Sequence, residues 1–249
     1  GRLIEATDPL GRVTRNEYDA LGRLVKTIRN FNNFPTNPQN YQNQYNIITE
    51  YIYSDCCTLE STVETYGRQT NYEYDDADRI IRVVDPDGNA STNTYDDAGN
   101  LLTTADPLGR VTEYFYDQQN RLVRVVDPLG GETLTAYDAT GNMISVTDPL
   151  GRVTQFEYDE LNRQVAVVDS LGNRRETTYD ANGNLATSTD PAGGVTTYAY
   201  DVLNRLIAQT DPEGGVAQHV YDTIGNRVQS IDANGHVTNF EYDALNRLV

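Results

Sequence analysis

Residues 148–172 read Asp148-Pro149-Leu150-Gly151-Arg152-Val153-Thr154-Gln155-Phe156-Glu157-Tyr158-Asp159-Glu160-Leu161-Asn162-Arg163-Gln164-Val165-Ala166-Val167-Val168-Asp169-Ser170-Leu171-Gly172. Three Asp-x-x-(Gly/Asn) groups, at Asp148, Asp159 and Asp169, punctuate this stretch. Each reads as a type I turn: the Asp carboxylate caps it, Pro presets φ where present, and Gly or Asn supplies the left-handed residue that lets a hairpin continue. The segments between are too short for helices and rich in Val, Ile, Thr and Tyr. In Val153–Tyr158, Thr154, Phe156 and Tyr158 point one way while Val153, Gln155 and Glu157 point the other, the alternation of a strand.

Working outward, the same grammar covers the chain. Tyr-Asp recurs every 21 residues at Tyr74, Tyr95, Tyr116, Tyr137, Tyr158, Tyr179, Tyr200, Tyr221 and Tyr242, and Tyr18 and a degenerate Tyr53-Ser54-Asp55 extend the series. Eleven residues after each regular Tyr comes an Asp, usually in Asp-Pro-x-Gly. The expected fold is all-β: a long antiparallel meander of two-strand hairpin repeats, stable only as neighbours stack. Residues 1–249 are expected to form one continuous array of about 11 repeats. Tyr18 and Tyr53 are 35 residues apart, so residues 30–52 contain a 14-residue insertion. The chain opens and closes inside the pattern and reads as a segment of a longer protein.

A second period of 42 residues lies on the first. After the Tyr-Asp turn, Gly99-Asn100, Gly141-Asn142, Gly183-Asn184 and Gly225-Asn226 alternate with Asn120-Arg121, Asn162-Arg163, Asn204-Arg205 and Asn246-Arg247. Two readings are open: duplication of a two-repeat unit, or alternate hairpins that face different surroundings.

Composition narrows the function. With 37 acidic against 19 basic side chains and a net charge of -18, the chain lacks the basic patches of a nucleic-acid binder or an anionic-membrane anchor. It has no run of 18 apolar residues and no charged-then-apolar leader. The Asp residues sit at turns, so their charge reads as solubility and turn capping; weak divalent-cation binding along the rows is the alternative. Tyr outnumbers Phe 18 to 5, which suits a partly wet surface whose hydroxyls reach water while the rings pack. About 22 strands at about 4.8 Å make a ribbon on the order of 100 Å wide. A sheet of that breadth must curl. Closed in one turn it leaves a lumen of roughly 10 Å, too small for a folded domain, so the segment is expected to curl as a spiral strip or as part of the wall of a larger hollow shell.

Nothing points to catalysis. His219 and His236 fill ordinary repeat slots. Cys56-Cys57 lies in the degenerate repeat and lacks zinc-site spacing; the thiols are buried or inert, bridge each other, or link to another chain. Asp85-Pro86-Asp87-Gly88-Asn89 resembles the start of a calcium loop without the downstream Glu. No phosphate loop, nucleophile elbow or zinc-protease motif is present. No catalytic, cofactor-binding or metal-binding residue is assigned, and no cofactor is expected. The insertion, Asn30 to Asn46, is rich in Asn, Gln and aromatics; it reads as a surface loop or as a docking element for glycans or a neighbouring protein.

The pattern Tyr-Asp-x-x-(Gly/Asn)-Arg-Leu, then Asp-Pro-x-Gly-x-x-Thr, then Thr-x-Tyr-x-Tyr-Asp closely resembles the RHS or YD repeat and covers nearly the whole chain apart from the insertion. The resemblance implies a β-strip spiralling into a hollow shell, as in bacterial polymorphic toxins, insecticidal toxin complexes, wall-associated proteins and teneurins. In the toxins the shell encloses a C-terminal effector. Bacterial shells of the family end in a segment with an aspartyl self-cleavage motif; no Asp pair here is set apart from the repeat, and none is assigned that role. The expected function is the wall of a secreted or cell-surface shell. Its partner is a C-terminal toxin or effector domain, or further repeats; neither nucleic-acid binding nor membrane insertion is expected. The alternative is an extracellular fibre or adhesin that binds glycans or self-assembles.

Overall fold

The computed structural model describes residues 2–8, 11–29, 47–55 and 57–249. Among them are 22 strands and a single three-residue 3-10 turn, Thr65–Gly67. The chain falls into two units, Gly1–Gly130 and Gly131–Val249. In the first, strands run from Glu5–Thr7 to Leu122–Val126; in the second, from Glu132–Tyr137 to Val237–Asn239. Within each unit every strand pairs antiparallel with the strand before and after it, as the alternating pattern and two-ended turn grammar require.

The turns are built as their residues dictate. Asp148 N–H donates to the Arg152 carbonyl (3.0 Å) and Gly151 N–H to the Asp148 carbonyl (2.9 Å). The Asp148 carboxylate accepts from the N–H groups of Leu150 and Arg152, each at 2.9 Å. This is a type I turn followed by a left-handed residue. Asn162 holds that position at φ 58° and Gly151 at φ 78°. One departure is at Glu64, where Glu replaces Asp: Tyr66 and Gly67 are both left-handed, at φ 73° and 76°, and the Tyr66 side chain is exposed.

The two margins of the sheet differ in register. In hairpins closed by a Tyr-Asp turn, the outgoing strand carries one extra residue: Phe115 pairs with Arg124 but Tyr116 with Leu122. The same shift precedes Tyr18, Tyr53, Tyr74, Tyr137 and Tyr179. Hairpins closed on the Asp-Pro side keep an unbroken register, as in Thr147↔Val153 and Val168↔Arg174. Such bulges raise local twist and re-aim the side chain beside them, here the Tyr.

Little is buried. Among the described residues only Ile28, Ala166 and Ser61 are buried, and all substantial contacts within a unit join strands adjacent in sequence. Each unit is therefore a single layer held by ladders, turns and side chains lying along the sheet.

The insertion expected within residues 30–52, read as Asn30 to Asn46, lies outside the described residues. It is followed by the strand Ile47–Tyr53, paired with Leu24–Arg29 and Leu59–Glu64. Nineteen residues separate the paired Ile28 and Ile48, where five separate Thr7 and Val13, so the extra chain enters on the Asp-Pro side.

Candidate functional site

The densest arrangement of functional groups is the margin formed by the Tyr-Asp turns. Most of these bulges place a Tyr where its hydroxyl reaches back to the neighbouring strand. Tyr116 O–H donates to the Leu101 carbonyl (3.0 Å), Tyr74 to Leu59 (2.8 Å), Tyr158 to Met143 (3.0 Å) and Tyr221 to Leu206 (3.0 Å). Water was the expected partner of these hydroxyls. The structure gives them a carbonyl 15 residues earlier, because the half-buried ring end needs an acceptor. Burial raises the hydroxyl pKa of Tyr53, Tyr74, Tyr116 and Tyr200.

The residue four after each turn Asp closes a second ring of contacts. In Asn-Arg turns it is Arg: Arg163 Nε donates to Asp159 Oδ2 at 2.7 Å and Arg205 to Asp201 at 2.7 Å. In Gly-Asn turns the Asn amide does the same, Asn184 to Asp180 at 3.0 Å. These donors hold the Asp carboxylates below their ordinary range: Arg163 for Asp159, Asn184 for Asp180. Asp138 is lowest, at about 2, chiefly because the Thr140 hydroxyl donates to it, with Asn142 adding its amide. All these carboxylates are consumed by their own turns.

The same side chains also reach the next Tyr-Asp turn. Arg79 lies over the Tyr95 ring at 4.7 Å, Arg163 over Tyr179 at 4.5 Å and Arg205 over Tyr221 at 4.7 Å. Arg79 also donates to the Asp96 carbonyl (2.9 Å) and Arg205 to that of Asp222 (3.2 Å). From Gly-Asn turns the link is an amide pair: Asn100 to Asn120 Oδ1 (2.9 Å), Asn142 to Asn162 (2.8 Å) and Asn184 to Asn204 (2.9 Å). The sequence displayed this alternation, but not that its two forms are two kinds of clasp between consecutive turns.

The residues singled out in the sequence are dispersed. His219 Nδ1 lies 3.1 Å from Ser230 Oγ on the adjacent strand. His236 closes the Asp232 turn at 2.8 Å, in a slot that other repeats fill with Arg, Asn or Gly, and lowers the Asp232 pKa. Asp85 accepts from Asp87 N–H, Asn89 N–H and the Asn89 amide, an ordinary repeat turn. Cys57 is a free, exposed thiol in the left-handed slot, so of the readings left open burial does not apply to it; Cys56 lies outside the described residues. Among the described residues no group of three or more His, Cys, Asp or Glu is arranged to hold a metal ion, and no helix is long and apolar enough to cross a membrane.

The sequence matches the RHS Repeat family over residues 1–32, 95–132, 137–174, 179–216 and 221–249, more than half of the chain. The chain belongs to the RHS repeat family. A search of curated proteins found no match. Among solved structures, this RHS segment is similar to the crystal structure of TcdB2-TccC3, with a TM-score of 0.55 and 18% identity over 98% of this chain. It is also similar to TcdB2-TccC3 without its hypervariable C-terminal region, with a TM-score of 0.54 and 17% identity over 98% of this chain. At such identity the likeness speaks for the fold. The chain spans 16% of the length of each of those structures. It is an RHS repeat segment, and its residues build repeat structure.

Proposed function

We propose that this chain is a stretch of the wall of a secreted or cell-surface RHS shell that encloses or presents a C-terminal toxin or effector domain. The observation that carries the reading is a single-layered sheet whose polar groups are spent on holding one repeat to the next. Among the described residues almost nothing is buried, which supports a wall rather than the core of a globular enzyme. The similarity to TcdB2-TccC3, which has been solved with and without a hypervariable C-terminal region, supports the same role. No catalysis and no cofactor are assigned to this chain; its partners are further repeats of the array, taken as one continuous strip, and the domain behind the wall.

The test is the full-length native protein, imaged by negative stain and treated with protease. Hollow particles in which a C-terminal domain resists cleavage until the particle is denatured are expected. Filaments, or a C-terminal domain cut as fast in the intact protein as in the denatured one, would favour the fibre reading and overturn this one.

A further inference from the structure

We infer that the Tyr-Asp turns carry a two-letter matching code by which each repeat recognises the next. The donor letter is the side chain four residues after the turn Asp; the acceptor letter is the left-handed residue of the following turn. Arg is matched to Gly, and Asn to Asn.

Left-handed geometry alone does not explain the alternation, because Gly and Asn both adopt it and either would close the turn. The neighbouring turn supplies the reason. A Cβ on Gly99 would lie 3.8 Å from Arg79 Nη1, and one on Gly183 would lie 3.9 Å from Arg163 Nη1. At those two joints an Asn side chain would have to share space with the stacked guanidinium, whereas at Gly141 and Gly225 nothing lies within 4 Å of the Cβ position. At Gly22 the Arg2 guanidinium sits where a Cβ would be. An Asn donor needs the opposite. The amide of Asn184 is answered by Oδ1 of Asn204, and glycine there would leave it without that acceptor.

The degenerate repeat departs on its incoming side, where Arg23 stacks on Tyr53 (4.7 Å) and donates to the Ser54 carbonyl (3.3 Å) with Cys57 rather than Gly in the left-handed slot, and keeps the logic on its outgoing side. The turn at Ser54 ends in Thr58, whose hydroxyl is engaged with Ser54 (2.8 Å) and sends no amide forward. The next left-handed residue is Asp78 rather than Asn. From the Asp96 turn onward a repeat that receives by Gly sends by Asn and one that receives by Asn sends by Arg, which yields the 42-residue period; at the first turn Gly22 is followed by Arg23.

The experiment rewrites one joint in the intact chain. N184R places an Arg donor before an Asn acceptor, and N204G places an Asn donor before Gly; N184R/N204G restores a matched Arg-Gly joint. Each single variant is expected to lower Tm by a few degrees, and the double variant to recover at least half of the summed loss. Losses that simply add, or a neutral N184R, overturn the code. A second measurement uses deletions. Excising residues 180–200 leaves Arg163 facing Asn204, a mismatch; excising residues 180–221 leaves it facing Gly225, a match. The shorter chain is expected to melt at or above the longer, against the usual gain of stability with repeat number. A lower Tm for the shorter chain overturns the proposal.

Discussion

One five-residue turn serves both margins of the sheet, and the margins behave differently. At the Asp-Pro side the Arg side chains of Arg110 and Arg152 bond their own Asp and are 62% and 64% exposed. At the Tyr-Asp side those of Arg79 and Arg163 make the same bond but are 30% exposed, because each also covers a ring on the next turn. The difference lies outside the turn, in the bulge that swings a Tyr into reach. The same ion pair is thus a solvated fastening on one side and part of a link between repeats on the other.

The sharpest way to break the comparison is to remove a ring. Tyr116→Ala is expected to cost about 2 kcal/mol, the lower end for losing a large side chain that is only half buried. Tyr116→Phe, which deletes only the bond to the Leu101 carbonyl, should cost about 1 kcal/mol. Urea denaturation of both variants separates the two contributions, and equal losses would show that the ring contributes nothing. On the opposite margin, Gly151→Val should cost on the order of 1 kcal/mol or more through backbone strain alone, since nothing lies within 4 Å of the position its Cβ would take. An unchanged melting curve would contradict the turn geometry.

Smaller effects sharpen the contrast. Arg163→Lys should lose about 0.5–1 kcal/mol of ring stacking, while Arg152→Lys should stay within about 0.5 kcal/mol of the parent. Equal effects would erase the distinction between the margins. The smallest is a pH effect. The turn carboxylates, Asp138 most of all, have folded pKa values below the unfolded one. Their stabilisation is complete above roughly pH 4 and is lost as pH falls through the folded value. Between pH of about 5 and about 2.5, Tm should therefore fall, and Asp138→Asn should shrink that fall slightly. A Tm that rises on acidification would contradict the assignment.

The turns and strands were legible in the sequence because their determinants are local: an Asp, a Pro and a left-handed residue within four positions decide each corner, and alternation decides each face. The 42-residue period was visible, but its cause was not, since Asn184 and Asn204, or Arg163 and Tyr179, meet only after two corners have been turned. The Tyr hydroxyls were misjudged for the same reason. Their acceptors are main-chain carbonyls, which carry no letter in a sequence.

The position of the extra chain between Ile28 and Ile48 has a practical corollary. It enters through the margin opposite the Tyr-Asp clasps, and the pairing of Leu24–Arg29 with Ile47–Tyr53 survives it. The Asp-Pro corners are thus the natural grafting points of the array, where a loop, an epitope or a small domain can be spliced in while the opposite hem stays stitched.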